Sequence, residues 1–530
     1  MRVQYSWVLA LLLTGCQLTQ PPQSTLPVDE SDTSHPTEDI TDTPSSEEGD
    51  HNALTPTVPD VEPIPEITPQ TQDDVWKRIS MQMQMEIPDH EAVDYYRTWY
   101  LKHPSHLRTV SKRAEPFLYL IVDEIEKRGL PLELALLPIV ESSFDAFAYS
   151  HGSAAGLWQF VPATGEYFGL EQNFWYDGRR DVSAATDAAL TYLDRLNKRF
   201  DGDWNNAIAA YNSGGGRVNS AIRKNRNLGK PTDFFSLDLP KETSGYVPKL
   251  LALADVIANQ VEYGISIPPI ANVPVVERVN PNEQLDLAIA ADYANITVKE
   301  LQSLNPAYNQ WATAPDKHQQ LLLPIDSVDA FMLKVEENRG KGMRLVRYQV
   351  QPGDSLSVLA QKYNTTTRVI QTANNLPNHS IRVGKYLMIP TSTQDEKAYA
   401  LSSANRLAQT QSRARGQYQL THTVQSGDSL WTIARANKVS HQSLAKWNGM
   451  GPRDTLRIGQ KLVIWKNSSD GAIIRTVFYK VRSGDTISGI ANKFKVKSND
   501  IVKWNELHKS KYLQPGQKLK LYVDVTKVSV

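Results

Sequence analysis

Three closely matched openings constrain this chain more than any other feature: Val350-Gln351-Pro352-Gly353-Asp354-Ser355-Leu356, Val424-Gln425-Ser426-Gly427-Asp428-Ser429-Leu430 and Val481-Arg482-Ser483-Gly484-Asp485-Thr486-Ile487. In each copy an asparagine follows 21 residues after the glycine (Asn374, Asn448, Asn505), and a second glycine follows at 31 or 32 (Gly384, Gly459, Gly516). Each copy closes on a short apolar run, at 386–389, 461–464 and 518–521. The order predicts strand, Gly-Asp turn, helix, turn, helix, Gly turn and strand, with the glycines supplying backbone conformations that other residues resist. The C-terminal half is therefore an array of small βααβ units at 346–390, 421–465 and 478–522. Between them, 391–420 and 466–476 are Ser/Thr/Gln-rich and are expected to be linkers that leave the units semi-independent. Region 269–340 carries a fainter echo, in Leu285, Ala290, Tyr293 and Asn305-Pro306, but Asn282-Glu283 replaces the Gly-Asp turn. It is expected to be a degenerate copy or a linker.

A chain of 530 residues with 40% apolar and 22% charged residues is ordinary globular material and long enough for several domains. The net charge of −1 hides an asymmetry. No Lys or Arg lies between Arg2 and Lys77, whereas 475–530 holds 12 basic and 4 acidic residues. An acidic start and a basic end suggest a partner of negative or polar character at the far end. The apolar run at 5–13 is too short to span a bilayer and reads as a signal peptide over 1–15. It ends at Leu13-Thr14-Gly15-Cys16, which resembles the cleavage box of bacterial lipoproteins and makes Cys16 the expected lipidation site. Cys16 is the sole cysteine, which excludes an internal disulfide and a cysteine-rich metal site. Gln17, not Asp, follows it; by the same resemblance the protein is expected at the outer membrane, facing the periplasm. Residues 16–75 are rich in Pro, Ser, Thr, Asp and Glu and cannot bury enough apolar area to fold, so they form a tether.

Region 76–268 is helical by periodicity. Phe117, Leu118, Ile121, Val122 and Ile125 mark one helix, stopped at Gly129. Residues 132–144 continue as an apolar helix with Pro138 inside, where a kink is expected. Ala185, Ala188, Ala189, Tyr192, Leu193, Leu196 and Phe200 line the inner face of a third. The expected fold class is multidomain: a mainly α domain followed by small βααβ modules.

Within that helical region stand Glu141-Ser142, Gly156-Leu157-Trp158-Gln159, Ala210-Tyr211-Asn212 and Glu242-Thr243-Ser244-Gly245-Tyr246-Val247. Their order resembles that of the lysozyme-like lytic murein transglycosylases of glycoside hydrolase family 23. The resemblance implies that Glu141 is the catalytic glutamate. It also implies that Ser150 and Gln159 contact the sugar near the scissile bond, that Tyr211, followed by Asn212, lies over the catalytic centre, and that Glu242 and Tyr246 line the cleft. Trp158 stands where the family usually has Met. The βααβ units are similar to LysM modules, which bind N-acetylglucosamine-containing glycans. Their candidate contacts are Gly353, Asp354, Ser355, Gly427, Asp428, Ser429, Gly484, Asp485 and Thr486. The other reading of each Asp is that it only shapes and caps the first turn. Peptidoglycan strands are the implied partner, and a monomer is expected.

The chemistry of the residues agrees. Protonating a glycosidic oxygen near neutral pH needs a glutamic acid whose pKa is raised by apolar surroundings, which Leu136, Leu137, Ile139, Val140 and Phe144 can supply around Glu141. Glycoside hydrolases commonly add a second carboxylate, and Asp145 is the nearest, one turn away if the helix persists. In the resembled family that role is unfilled: the substrate's own C6 hydroxyl attacks the anomeric carbon and leaves a 1,6-anhydro-N-acetylmuramic acid end. Two other readings stay open at this point, a hydrolytic muramidase and a non-catalytic peptidoglycan-anchoring lipoprotein. Asp177 and Asp181 are expected to cap helices or pair with Arg179 and Arg180. Ser150-His151 and the misspaced Gly152-Ser153-Ala154-Ala155-Gly156 do not make a serine nucleophile elbow. The histidines lack metal-ligand spacing, so no metal or other cofactor is expected, nor a nucleic-acid partner.

Overall fold

The computed structural model describes residues 67–150, 152–315, 317–467, 474–507 and 513–524. The signal peptide, Cys16 and nearly all of the tether lie outside these residues, as does His151.

The first domain packs ten α-helices: α1 Val75–Ser80, α2 Glu91–Lys102, α3 Pro104–Ala114, α4 Leu118–Lys127, α5 Leu137–Ser142, α6 Pro162–Tyr167, α7 Val182–Arg199, α8 Trp204–Ser213, α9 Gly215–Asn227 and α10 Lys241–Ala258. Helix α10 is its axis. Apolar residues run along nearly its whole circumference, and Tyr246, Val247, Leu250, Leu251, Leu253, Val256 and Ile257 are all buried. It packs on α2 and α8 and reaches α5. The apolar residues of α4 and α7 read from periodicity close the same core, with Tyr192 half-buried at its margin. Asp177 and Asp181 cap the starts of a 3₁₀ turn and of α7, and Asp177 pairs with both Arg179 and Arg180.

One local expectation changes. Residues 132–144 are not one kinked helix. A 3₁₀ turn, Leu132–Leu136, leads into α5, and Pro138 sits in the first turn of α5, where its missing N–H has no intrahelical partner to lose.

Beyond α10 come β1 Val276–Val279, α11 Leu287–Tyr293, α12 Val298–Leu304, β2 Leu321–Pro324 and α13 Val328–Glu337. The first repeat holds β3 Arg344–Gln349, α14 Leu356–Lys362, α15 Thr367–Ala373 and β4 Tyr386–Thr391, and α16 Ser403–Ser412 follows. The second holds β5 Tyr418–Thr423, α17 Leu430–Ala436, α18 His441–Trp447 and β6 Lys461–Lys466. The third holds β7 Ile474–Lys480, α19 Ile487–Lys493, α20 Ser498–Trp504 and β8 Lys518–Asp524. Each unit closes with one antiparallel strand pair, β1–β2, β3–β4, β5–β6 and β7–β8.

The recurring asparagine explains itself in the structure. Asn374, at the C-terminus of α15, donates to Ile370 O and Met388 O and accepts from Met388 N, each at 2.7 Å. One side chain thus ends a helix and ties it to the closing strand. Asn448 does the same with Leu444 and Val463, and Asn505 with Ile501 and Lys520. Asn305 repeats the pattern with Leu301 and Leu322, so region 276–324 is a βααβ unit despite its lost Gly-Asp turn.

The segment between β4 and β5 is not a loose linker. Tyr399 is buried and donates to the fully buried Asp286 at 2.7 Å, while Thr393 N and Oγ1 donate to the same carboxylate at 2.6 and 2.7 Å. Ser403 N, at the start of α16, donates to Asn309 O at 2.8 Å, and Gln411 of α16 donates to Asn448 Oδ1 at 2.9 Å. A polar composition read as a spacer is instead pinned at both ends. Of the second expected linker, 468–473 lies outside the described residues.

Candidate active site

Glu141 is the penultimate residue of α5 and half-buried. The helix ends there because Ser143 and Phe144 both take left-handed conformations, φ +53° and +56°, unusual for residues with a side chain. Arg113 Nη1 holds the Ser143 carbonyl at 3.0 Å, and Phe144 is buried in the core. The break removes Asp145 from the helical turn on which it would have faced Glu141. Asp145 instead accepts from Phe147 N at 3.0 Å and lies 4.0 Å from Arg113.

Across from α5, helix α10 presents Glu242, Tyr246 and Lys249, spaced i, i+4 and i+7 on one face. Tyr246 Oη donates to Glu141 Oε1 at 2.5 Å. Lys249 Nζ donates to Val140 O at 3.3 Å. Burial is the largest influence on the Glu141 carboxyl and raises its pKa to about 7. The Tyr246 hydrogen bond and the Lys249 charge pull the other way, and the Glu242 charge adds to the rise. Lys249 was not singled out from the sequence, although its i+3 spacing from Tyr246 was the available signal.

The remaining expected site residues fall on three supports. Tyr211, near the end of α8, donates to Trp158 O at 2.8 Å and meets Phe160 edge-on at 6.2 Å. Asn212 Oδ1 accepts from Thr243 Oγ1 at 2.8 Å, joining α8 to α10. Gln159 has φ +52°, and its Nε2 donates to Gly156 O at 2.7 Å, so part of its amide is used within its own turn. Trp158 is fully buried with Nε1 donating to Thr186 Oγ1 at 3.0 Å, a core role. Ser150 Oγ accepts from Gly152 N and Ala154 N at 3.1 and 3.0 Å, so the hydroxyl is engaged within its own turn. Glu242 is exposed.

In the repeats, the nine candidate glycan contacts all serve the turn. Gly353, Gly427 and Gly484 have φ +89°, +87° and +86°. Asp354, Asp428 and Asp485 accept from the backbone N–H three residues before, and from Tyr348, His422 and Tyr479. Those bonds, the backbone one foremost, hold all three carboxyls below their usual range. Ser355, Ser429 and Thr486 are helix N-caps. The turn-shaping reading has direct geometric support; the contact reading rests on resemblance.

The chain matches three families. Residues 120–234 match the Transglycosylase SLT domain, 348–390, 422–465 and 479–521 the LysM domain, and 275–338 the LysM-like domain of lytic transglycosylase MltD. It is also 38% identical over 412 residues to the membrane-bound lytic murein transglycosylase D of Escherichia coli K12, covering 75% of this chain and 86% of the relative. The chain belongs to the lytic murein transglycosylase D family. This places the α domain and the βααβ units together in one lytic transglycosylase, with 275–338 the family's own LysM-like domain and not a linker. A second relative, a putative tributyltin chloride resistance protein of Alteromonas sp. M-1, is 56% identical over 124 residues, 23% of this chain and 60% of the relative. Among solved structures, an inactive mutant of the lytic transglycosylase Slt from Pseudomonas aeruginosa is 21% identical over 36% of this chain and 33% of its own, with a TM-score of 0.25.

Proposed function

We propose that this transglycosylase cleaves the β-1,4 bond between N-acetylmuramic acid and N-acetylglucosamine in peptidoglycan without water, leaving 1,6-anhydro-N-acetylmuramic acid ends. The observation that carries the reading is the half-buried Glu141, its pKa near 7, hydrogen-bonded by Tyr246 in a site with no second carboxylate on its helical turn. The protonated Glu141 gives its proton to the glycosidic oxygen as the bond from that oxygen to the anomeric carbon breaks, and positive charge develops at the sugar. The carboxylate so formed then removes the proton of the C6 hydroxyl, whose oxygen bonds to the anomeric carbon. The proton lent is returned, so the cycle needs no co-reactant. Tyr246 and Lys249 stabilise the carboxylate between the two transfers. Ser150, Gln159, Tyr211, Asn212, Glu242 and Tyr246 surround the sugar. Glu141→Gln cannot give the proton and should slow release of soluble fragments from sacculi by roughly 10²–10⁴-fold; an unaffected rate would remove Glu141 from the chemistry.

The LysM modules hold the glycan near the cleft, and acyl chains on Cys16 fix the protein to the outer membrane. Among the described residues no helix is long and apolar enough to cross a membrane. Cys16→Ser should move the protein from the membrane fraction to the soluble periplasm; continued sedimentation with membranes would refute the anchor.

A further inference from the structure

The turn that carries Tyr149, Ser150 and Ser153 is bonded from outside its own domain as well as from within it. Ser153 has φ +63°, a conformation that a residue with a side chain rarely adopts and that persists only where its surroundings over-determine it. Its N–H bonds Ser150 O at 3.1 Å within the turn, and two restraints reach it from elsewhere in the fold. Arg179, itself locked on Asp177, donates to Ser153 O at 2.7 Å, and Ser153 Oγ donates to Asp454 Oδ1. Asp454 belongs to the second LysM module, in the loop between α18 and β6. Its other oxygen accepts from Tyr149 Oη at 2.9 Å and from Gly451 N at 2.8 Å, so it is fixed within its own loop before it meets the turn. The module is brought there by α16. Arg406 of that helix lies 4.8 Å from the ring of Phe147, and Gln411, one turn on, holds Asn448 and Lys461 of the module.

We infer that Asp454 is a positioning residue of the catalytic site: through Tyr149 and Ser153 the second LysM module sets the turn that holds Ser150 in its working conformation. The role rests on the transglycosylase reading above. Losing Asp454 removes the module's bonds to Ser153 and Tyr149 and leaves the turn to Arg179 and to its own internal hydrogen bonds, which loosens its left-handed conformation. The chemistry at Glu141 remains intact, so the loss falls on the orientation of bound substrate.

The full chain purified in detergent, assayed on sacculi for kcat and KM, tests this. Asp454→Ala should lower kcat roughly 10-fold, within the ~10²-fold that a 1 Å misplacement can cost. Asp454→Asn, which keeps one acceptor oxygen, should recover part of the rate, and Tyr149→Phe/Asp454→Ala should be no slower than Asp454→Ala alone. Amide hydrogen exchange at 149–154 should speed up in Asp454→Ala while the melting temperature stays put. A wild-type rate in Asp454→Ala, a faster rate, or multiplying losses in the double variant would each overturn the positioning role. A wild-type chain that releases nothing would sink the transglycosylase reading itself, a result distinct from an active wild type indifferent to Asp454.

Discussion

Tyr246 Oη lies 2.5 Å from Glu141 Oε1, joining α10 to the end of α5 across 105 residues of sequence. The bond does two opposed things. It aims the carboxyl, and it favours the ionised form that burial disfavours. The balance leaves Glu141 near pKa 7, where one group can serve as acid and then as base.

The pH profile should follow from that balance. Cleavage begins with protonated Glu141, so kcat/KM should be full on the acid side and fall as pH rises through about 7. Tyr246→Phe removes a bond to the ionised form and should move this limb to higher pH. Glu242→Gln removes a negative neighbour and should move it lower. Limbs that stay in place in both variants would detach the limb from Glu141.

Gly156 has φ +80°, and a Cβ there would sit 2.0 Å from Arg179 O, which is backbone and cannot swing away. Gly156→Ala should therefore destabilise the α domain by at least about 2 kcal/mol, read as a lower melting temperature with loss of activity. Gly129→Ala is a contrasting control. It has a similar φ of +62° but open space around it, and should show only the smaller backbone penalty.

Asn448 is buried and makes three hydrogen bonds within its module. Asn448→Ala leaves the Val463 N–H and C=O without it and should cost about 1–3 kcal/mol, seen as faster amide exchange in β6. Exchange should be unchanged in β3–β4, whose own Asn374 is intact.

Much of this architecture was legible because its signals are local and repeated. Fixed spacing from glycine to asparagine marks each βααβ unit, and the apolar neighbours of Glu141 foretell its burial. What stayed hidden depends on contacts distant in sequence. Nothing near Ser143 and Phe144 announces two left-handed residues, since no glycine marks the turn; Arg113 and the core hold them there. The polar 391–417 reads as a spacer until Tyr399 is seen on Asp286, 113 residues away. Lys249 was legible in principle, but only once Tyr246 was known to face Glu141.

The most direct test of the central claim is the mass of the muropeptides released from purified sacculi. The wild-type chain should release fragments ending in 1,6-anhydro-N-acetylmuramic acid, lighter by one water than hydrolytic products, and Glu141→Gln should release almost none. Fragments carrying reducing ends would contradict the account, because water and not the C6 hydroxyl would then have reached the anomeric carbon.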